Sequence, residues 1–484
     1  MSRVVVVGAG PTGLMLAVEL RLAGVETVVV ERLEQPSGQS RALALHARSV
    51  ELLAQRGILG PFLEEGTKGE HVHYAGVPLE MARIDGRHRY SLHIHQSRVE
   101  RLLEDAAVRL GADVRRGHEL AGLLQDDDGV EAAVRTSSGT VRLRCDYLVG
   151  CDGGGSLVRK LAGIGFPGTA SELWGILGDV GSFDASVDLR RPLAYPHGMV
   201  GVSPLGDGLY RVMCVESGAP PPGDAPVTAA ELRATIRRIT GADLAFGEPR
   251  WLSRFGDATR QADRYRSGRV LLAGDAAHIH FPLGAQGMNL GMQDAANLGW
   301  KLAAEIGGWA PPGLLDTYES ERRPVGARVC ADSRAQIALT FPAERSAPAR
   351  DLLAELLRFD DVHRHMVETV AGVATRYPVD GDPELGRRVP DVSLATPGGD
   401  VNLFHLLRRA RGVLLDLSDG ALSDGGTPPL PDGWSGRVDA VTAKPVTGLP
   451  PALLIRPDGH AVWAGDAGRL PAALRSWFGE PGPR

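Results

Sequence analysis

Val4-Val5-Val6-Val7-Gly8-Ala9-Gly10-Pro11-Thr12-Gly13, followed through to Glu31, is the stretch that decides the fold. Four consecutive β-branched residues predict a parallel strand buried on both faces. From Thr12 to Ala23, residues Leu14, Ala17, Val18 and Leu22 recur at helical spacing before Gly24 closes the helix. Val25 to Val30 supplies a second strand ending in an acid, so a complete β-α-β unit occupies the first 31 residues. In such a unit Gly8 makes the turn, Gly10 lets backbone approach a pyrophosphate, and Gly13 lets helix and strand pack. The free N–H groups of the helix then face the phosphates. Glu31 is placed to accept hydrogen bonds from adenosine ribose hydroxyls and disfavours a 2′-phosphate. FAD or NAD therefore fits this turn, and NADP does not.

Two further Gly-containing turns follow buried strands. Tyr147 to Val149 runs into Gly150-Cys151-Asp152-Gly153-Gly154-Gly155-Ser156, and Arg269 to Ala273 runs into Gly274-Asp275. The latter continues through Pro282-Leu283-Gly284-Ala285-Gln286-Gly287-Met288-Asn289 into a long helix from about Met288 to Ile306. A carboxylate at a strand's carboxyl end, Asp275, suits ribityl hydroxyls. The glycines let amides reach a flavin edge, and the helix start places partial positive charge where reduced flavin is negative. Together these features select FAD over NAD.

Between the second and third turns, from roughly 175 to 255, short apolar stretches separated by Gly and Pro predict an inserted antiparallel sheet. Helices are expected over Ala47–Arg56 and over Ser97–Leu110, the latter capped by Ser97 with Glu100 in its third position. Residues 311–375 read as helical with a linker over 341–350. Arg322-Arg323 reads as a solvated helix end, and Leu352 to Phe359 as core. Asp126-Asp127-Asp128-Gly129 reads as an exposed hairpin turn. Beyond residue 386, strands at Val413–Leu417 and Leu453–Arg456, a hairpin turn at Pro457-Asp458-Gly459 and a helix at Leu470–Trp477 predict an independent α/β module. The Pro- and Gly-rich stretches 219–223 and 425–433 read as loops.

The chain has 484 residues, enough for about three structural units at roughly 150 residues each. Its 53 Lys and Arg against 59 Asp and Glu leave a net charge of −6, without the basic field that nucleic acid or anionic lipid requires. No apolar run approaches the ~18 residues of a membrane span, and no signal-peptide layout precedes Val4. Four cysteines, Cys145, Cys151, Cys214 and Cys330, form no CxxC pair, which argues against structural zinc, dithiol redox chemistry and a disulfide framework and places the chain in the cytoplasm. The pairs His71/His73, His93/His95 and His278/His280 lack companion ligands, so no metal is expected, and the first two pairs are assigned to surface or substrate-pocket strands.

The three turns, with Arg269-Val270-Leu271-Leu272-Ala273-Gly274-Asp275-Ala276-Ala277-His278 and Gln293-Asp294-Ala295-Ala296-Asn297-Leu298-Gly299-Trp300-Lys301-Leu302, resemble the group A flavoprotein monooxygenases of the para-hydroxybenzoate hydroxylase fold. The resemblance is greatest to aromatic-polyketide hydroxylases and rifampicin-type monooxygenases. It implies an α/β fold: a Rossmann-like FAD domain of the glutathione-reductase type (1–74, 97–174 and 268–385), an inserted substrate sheet (75–96 and 175–267) and a thioredoxin-like C-terminal domain (386–484). It further implies FAD contacts at Gly13, Glu31, Arg32, Arg41, Gln96, Leu120, Asp275, Met288 and Asn289, alongside the loop residues Gly8, Gly10, Pro282, Gly284, Gln286 and Gly287. Asp152 and Arg159 are implied at a transient encounter with NADPH or NADH. Gly154 and Gly155 depart from the family pattern there, which leaves the coenzyme preference open. The implied reaction inserts one oxygen of O₂ into a polycyclic phenol or quinone through a C4a-hydroperoxyflavin, in antibiotic biosynthesis, by a monomer or homodimer. The implied fold is equally compatible with an antibiotic-inactivating or Baeyer–Villiger monooxygenase; a non-catalytic protein that binds FAD and sequesters an aromatic ligand is the alternative from a different class. No acid or base is assigned, and a halogenase is disfavoured because no two Trp lie two apart.

Overall fold

The computed structural model describes residues 2–183, 193–218, 225–379, 385–418, 430–465 and 467–482. The loop stretches at 219–223 and 425–429 lie outside them. Ser2–Val7 pairs in parallel with Thr27–Glu31 on one side and with the end of Gly139–Gly150 on the other. Asp113–Arg116 and Val270–Leu272 extend this sheet outward, also in parallel. Val4, Val5, Val6 and Val29 have no solvent exposure, so the sheet is covered on both faces and its strands read as unbroken apolar runs. Val7, Gly150 and Leu272 end at one edge of the sheet, and the three Gly-containing turns leave from there.

The helices used below are α1 (Pro11–Leu22), α2 (Ala47–Gln55), α3 (Gln96–Arg109), α4 (Leu157–Leu161), α5 (Ala229–Thr240), α6 (Gln286–Ile306), α7 (Thr317–Thr340), α8 (Ala343–Leu356), α9 (Asp360–Val370) and α10 (Leu470–Phe478). Helices α1 and α6 pack at unusually short range. A Cβ on Gly291 would lie 2.2 Å from Thr12 Oγ1, and one on Gly299 would lie 2.4 Å from Glu19 Cβ.

A five-stranded antiparallel sheet lies in the chain between Gly150 and Val270, in the order Leu193–Tyr195, Gly198–Gly206, Leu209–Ser217, Leu173–Val180, Pro249–Gly256. Leu232, Ile236 and Ile239 of α5 cover one face through Val200, Val202 and Val212. The expectation that 75–96 joins this sheet is corrected. His71–Tyr74 and Val77–Glu80 form a separate ribbon that buries Val72, Tyr74 and Leu79 against Val367 and Val370 of α9, and Ser91–His93 pairs with Ala44–Leu45 and Thr67–Gly69.

Further readings are corrected. Ser97 does not cap α3; the helix begins at Gln96, and Ser40 Oγ, far away in sequence, accepts from Ser97 N at 3.1 Å. The expected linker at 341–350 is largely helix α8. In Leu352–Phe359, two adjacent leucine stripes point opposite ways: Leu357 is buried, whereas Leu352, Leu356 and Phe359 are 56%, 43% and 62% exposed.

Arg322 is not at a solvated helix end. It lies in α7 and is wholly buried; Lys301 of α6 and Arg456 of the C-terminal module are wholly buried too, and Glu321 of α7 is nearly so. These charges lie where the C-terminal module meets the rest of the chain. That module is a sheet in the order Val438–Thr442, Gly412–Asp416, Ala452–Ile455, Ala461–Ala464, with α10 packed on it. The turn between its last two strands is buried against α2, α6 and α7, so the module is packed tightly on the rest of the chain. Among the described residues, no helix is long and apolar enough to cross a membrane.

The α1–α6 contact yields an expected outcome in which two effects oppose each other. Gly299→Ala gains up to ~1 kcal/mol of helix propensity, but its methyl meets Glu19 Cβ. Overpacking of about 1–3 kcal/mol then dominates, and chemical denaturation should show a less stable protein.

Candidate active site

The first turn is a cradle with one open side. Gly8 has φ +106°, and a Cβ there would strike Cys151 O at 2.4 Å; a Cβ on Gly13 would strike Gly8 O at 2.0 Å. Gly10 meets nothing within 4 Å, so the space a pyrophosphate needs is present. Helix α1 starts at Gly10 with no side-chain cap and no acid in its first turn, leaving its N–H groups available to an anion. The carboxylate of Glu31 accepts from Ala9 N and Leu33 N, both at 2.9 Å, which fixes it at the end of its strand beside the turn. His118 N donates to Glu31 O at 2.8 Å and brings buried Leu120 to the same edge; Arg32 is exposed there.

At the third turn, Asp275 is exposed within the otherwise buried run Val270–His278, and its carboxylate makes no side-chain hydrogen bond among the described residues. It stands where a ligand's hydroxyls are reached from a rigid strand end. Gly284 (φ +76°) and Ala285 (φ +52°) are consecutive left-handed residues that turn the chain into α6, again with no side-chain cap. Pro282 is exposed on this loop, Gln286 is buried, and Gly287 and Met288 are half-buried with their amides in the first turn of α6. Asn289 is buried and positions the loop: Oδ1 accepts from His46 N at 2.8 Å, and Nδ2 donates to Ala285 O at 2.8 Å and Ala44 O at 3.2 Å. His46 Nε2 donates to Gly284 O at 2.8 Å. Burial pushes the His46 pKa down to about 4, so the ring is neutral near pH 7.

The middle turn bridges the other two. Cys151 N donates to Val7 O, and Arg159 donates to Ala276 O at 2.8 Å and Gly154 O at 2.9 Å while stacking on Phe166. Asp152 caps α4, accepting from Ser156 Oγ at 2.5 Å, Leu157 N at 2.7 Å and Val158 N at 3.1 Å. Both side chains implied at the nicotinamide encounter are thus engaged within the protein.

Arg41 and Gln96 meet at a junction with the five-stranded sheet. Gln96 Oε1 accepts from Ala42 N at 3.1 Å, and Arg41 donates to Ser253 Oγ at 3.1 Å. Buried Arg211 donates to Ser40 O at 2.5 Å and to Arg41 O at 3.3 Å. It also pairs with Asp179, which accepts from Trp251 Nε1 at 2.8 Å. Sequence reasoning missed Asp179, Arg211 and Trp251, as well as His46 and Asp294. Asp294 is fully buried. Burial alone would raise its pKa, but Arg322 and His278 hold it below the usual value. Arg322 Nε donates to Oδ1 at 2.7 Å; His278 Nε2 and Gly274 N donate to Oδ2 at 2.7 and 3.1 Å. None of these partners is adjacent in sequence, and a strongly acidic or basic residue inside a helical pattern was the sole available signal.

Residues 1–333 match a family model described as FAD binding domain, and residues 382–481 one described as aromatic-ring hydroxylase, C-terminal. The chain belongs to the FAD-dependent aromatic-ring hydroxylases. It is 46% identical to a rifampicin monooxygenase of Streptomyces venezuelae, over 99% of each chain. It is 44% identical to a dialkyldecalin synthase of Streptomyces rugosporus, over 98% of each. The solved structure of an anhydrotetracycline hydroxylase from Streptomyces rimosus superposes with a TM-score of 0.91 at 44% identity, over 99% of each chain. The aromatic-polyketide hydroxylase group indicated by the sequence motifs is therefore the group to which this FAD-dependent monooxygenase belongs.

Two outcomes follow for variants of this site. Gly10→Ala should leave the unfolding temperature of the flavin-free protein unchanged yet weaken FAD binding, because its methyl enters only open space. Gly13→Ala should lower the unfolding temperature itself; titration calorimetry and thermal unfolding separate the two. For His46, whose pKa falls from 6.5 unfolded to about 4 folded, the unfolded state binds the extra proton across that window. Stability is therefore complete above pH 6.5 and declines toward pH 4, by up to ~1.4 kcal/mol per pH unit. His46→Gln should flatten that part of the stability–pH curve.

Proposed function

We propose that the chain hydroxylates a polycyclic phenolic or quinone-type substrate, an aromatic polyketide, in the making of an antibiotic. FAD is the bound cofactor, and NADPH or NADH is the electron donor. The single observation that carries this reading is the apolar seam between the five-stranded sheet and the flavin loop. Leu173, Met199, Met213, Val215 and Phe255 of the sheet face Phe281 and Leu283, next to Pro282–Asn289. The Phe255 and Phe281 rings lie 5.5 Å apart, and Phe255, Met213 and Leu283 are only half-buried, leaving apolar surface uncovered beside the loop.

The cofactor, when bound, supplies hydride acceptance and O₂ activation. The chain's own residues do the rest. Gly10 and the start of α1 would hold the pyrophosphate, and Glu31 the adenosine ribose. Asp275 would take the ribityl hydroxyls, and the amides at Met288 and Asn289 would be the donors offered to the ring. Neutral His46 fixes the Gly284–Asn289 loop beside the seam, and the apolar side chains there would exclude water. One atom of O₂ goes to a ring carbon and the other leaves as water. Two electrons come from the nicotinamide, and one proton is taken up from solvent. The anhydrotetracycline and rifampicin specificities of the relatives support a multi-ring substrate.

The test is incubation of the FAD-loaded protein with NADPH, O₂ and a panel of polycyclic phenols. NADPH oxidation should rise with substrate, and mass spectrometry should find a product one oxygen heavier, labelled from ¹⁸O₂. The dialkyldecalin synthase at 44% identity gives weight to a second reading, ring closure on the same scaffold. A product of unchanged mass formed without NADPH would replace the first reading by this one, and a protein that binds no FAD would overturn both.

A further inference from the structure

The turn between the last two C-terminal strands, Arg456 to His460, is buried against Arg48 of α2, Asn297 of α6 and Glu321 of α7. Arg456 donates to both oxygens of Glu321 on α7, at 2.6 and 2.9 Å, and to Asp458 within its own turn. Its guanidinium lies 4.8 to 5.2 Å from the ring centres of Trp477, Tyr377 and Trp300. Lys301 of α6 donates to the same Glu321 at 2.7 Å. Burial alone would raise the Glu321 pKa, but Arg456 and Lys301 hold it at about 2.

Two routes lead from this turn to the flavin loop, one to each end. In the first, Tyr377 packs on His460 at 4.5 Å and accepts from Arg322 NH1 at 3.0 Å. Arg322 in turn orients Asp294, which binds Gly274 N beside Asp275. In the second, Asp458 O accepts from Arg48 of α2 at 2.6 Å, two residues beyond His46. His46 N is bound by Asn289, and His46 Nε2 holds Gly284 O. Arg56 at the end of α2 also donates to Pro457 O at 2.9 Å. Without this turn, Arg48 loses one of its two acceptors and Glu321 loses its bidentate partner.

We propose that the Arg456–His460 turn is a positioning element of the flavin site: the C-terminal module, through Arg456 and Asp458 directly and through His460 packed on Tyr377, sets where Asp275 and the Gly284–Asn289 loop stand. Its residues touch neither cofactor nor substrate and act through α2, α6 and α7. A rigid plug is the arrangement such a role needs, since a buried ion pair has one satisfied geometry and resists sliding. The proposal rests on FAD being held at Asp275 and Asn289, and a control separates the two claims.

The experiment measures the FAD dissociation constant and the bound-flavin visible spectrum of the full-length protein. It compares Arg456→Met, Arg456→Lys, Tyr377→Phe and the control Asp275→Ala, each at a temperature where circular dichroism shows it folded. Tyr377→Phe removes one hydrogen bond to Arg322 and keeps the ring; it should weaken FAD about fivefold and shift the flavin spectrum while remaining folded. Arg456→Met should weaken FAD more, about tenfold or beyond. Arg456→Lys, which keeps the charge and loses the fork, should fall between wild type and Arg456→Met. If Arg456→Met does not fold, Tyr377→Phe carries the decision. Wild-type affinity and spectrum in Tyr377→Phe and the folded Arg456 variants, alongside weakened binding in Asp275→Ala, would overturn the proposal and leave the cofactor's placement standing. Wild-type affinity in Asp275→Ala would instead overturn that placement, and the positioning claim with it.

Discussion

The carboxylate of Asp294 is the constraint on which the flavin side of the molecule depends. It is wholly buried, and its oxygens accept from Arg322, His278 and the Gly274 amide. A buried charge missing one such partner costs several kcal/mol, so the three groups have essentially one arrangement open to them. That arrangement ties the end of strand Val270–Leu272 to helices α6 and α7. Thr12 of the first turn lies wedged between Gly274 and Gly291, where added Cβ atoms would meet its Oγ1 at 2.5 and 2.2 Å. The first and third turns are therefore held in register by one buried ion pair and two missing side chains.

What was legible in the sequence was local or periodic. The run Val4–Gly13 announces itself because a doubly covered parallel strand needs consecutive apolar residues and its turn needs glycine. The start of α6 is legible because Gly284 and Gly287 sit beside Asp275 in the chain. The illegible parts depend on partners distant in sequence. Arg322 looks like a surface residue, since a helix carrying Glu319, Glu321 and Arg323 is polar all round; its burial depends on Asp294 and Tyr377 arriving from elsewhere. Ser97 satisfied a capping pattern, yet Ser40 occupies that role. Leu352 and Leu356 had core spacing, but spacing specifies a stripe and not which side of the helix is covered.

The inserted sheet and the flavin domain are joined with the same kind of device. The chain passes between them repeatedly, and Arg211 is the buried charge at the crossing, with Asp179 on its own sheet and the Ser40 and Arg41 carbonyls on the other side. The loop bearing Arg41 is thereby built from both units. The sheet and the loop share a wall, so moving one surface moves the other.

A common division of labour explains why glycines outperform polar residues as signals here. Asn289, Gln96, Asp152 and Arg159 already have their side-chain donors or acceptors bonded inside the protein. The uncapped starts of α1 and α6 offer free backbone at the site, and Asp275 adds an exposed carboxylate. A site made this way is preorganised: binding need not break internal hydrogen bonds of those side chains or freeze long rotamers, so little of the interaction energy is lost to ordering. The bonded polar residues define the shape of the site, and the free amides at its two helix starts are marked by no side chain. The pattern of absent side chains at Gly8, Gly10 and Gly13 was consequently the most direct sequence record of the open turn at the start of α1.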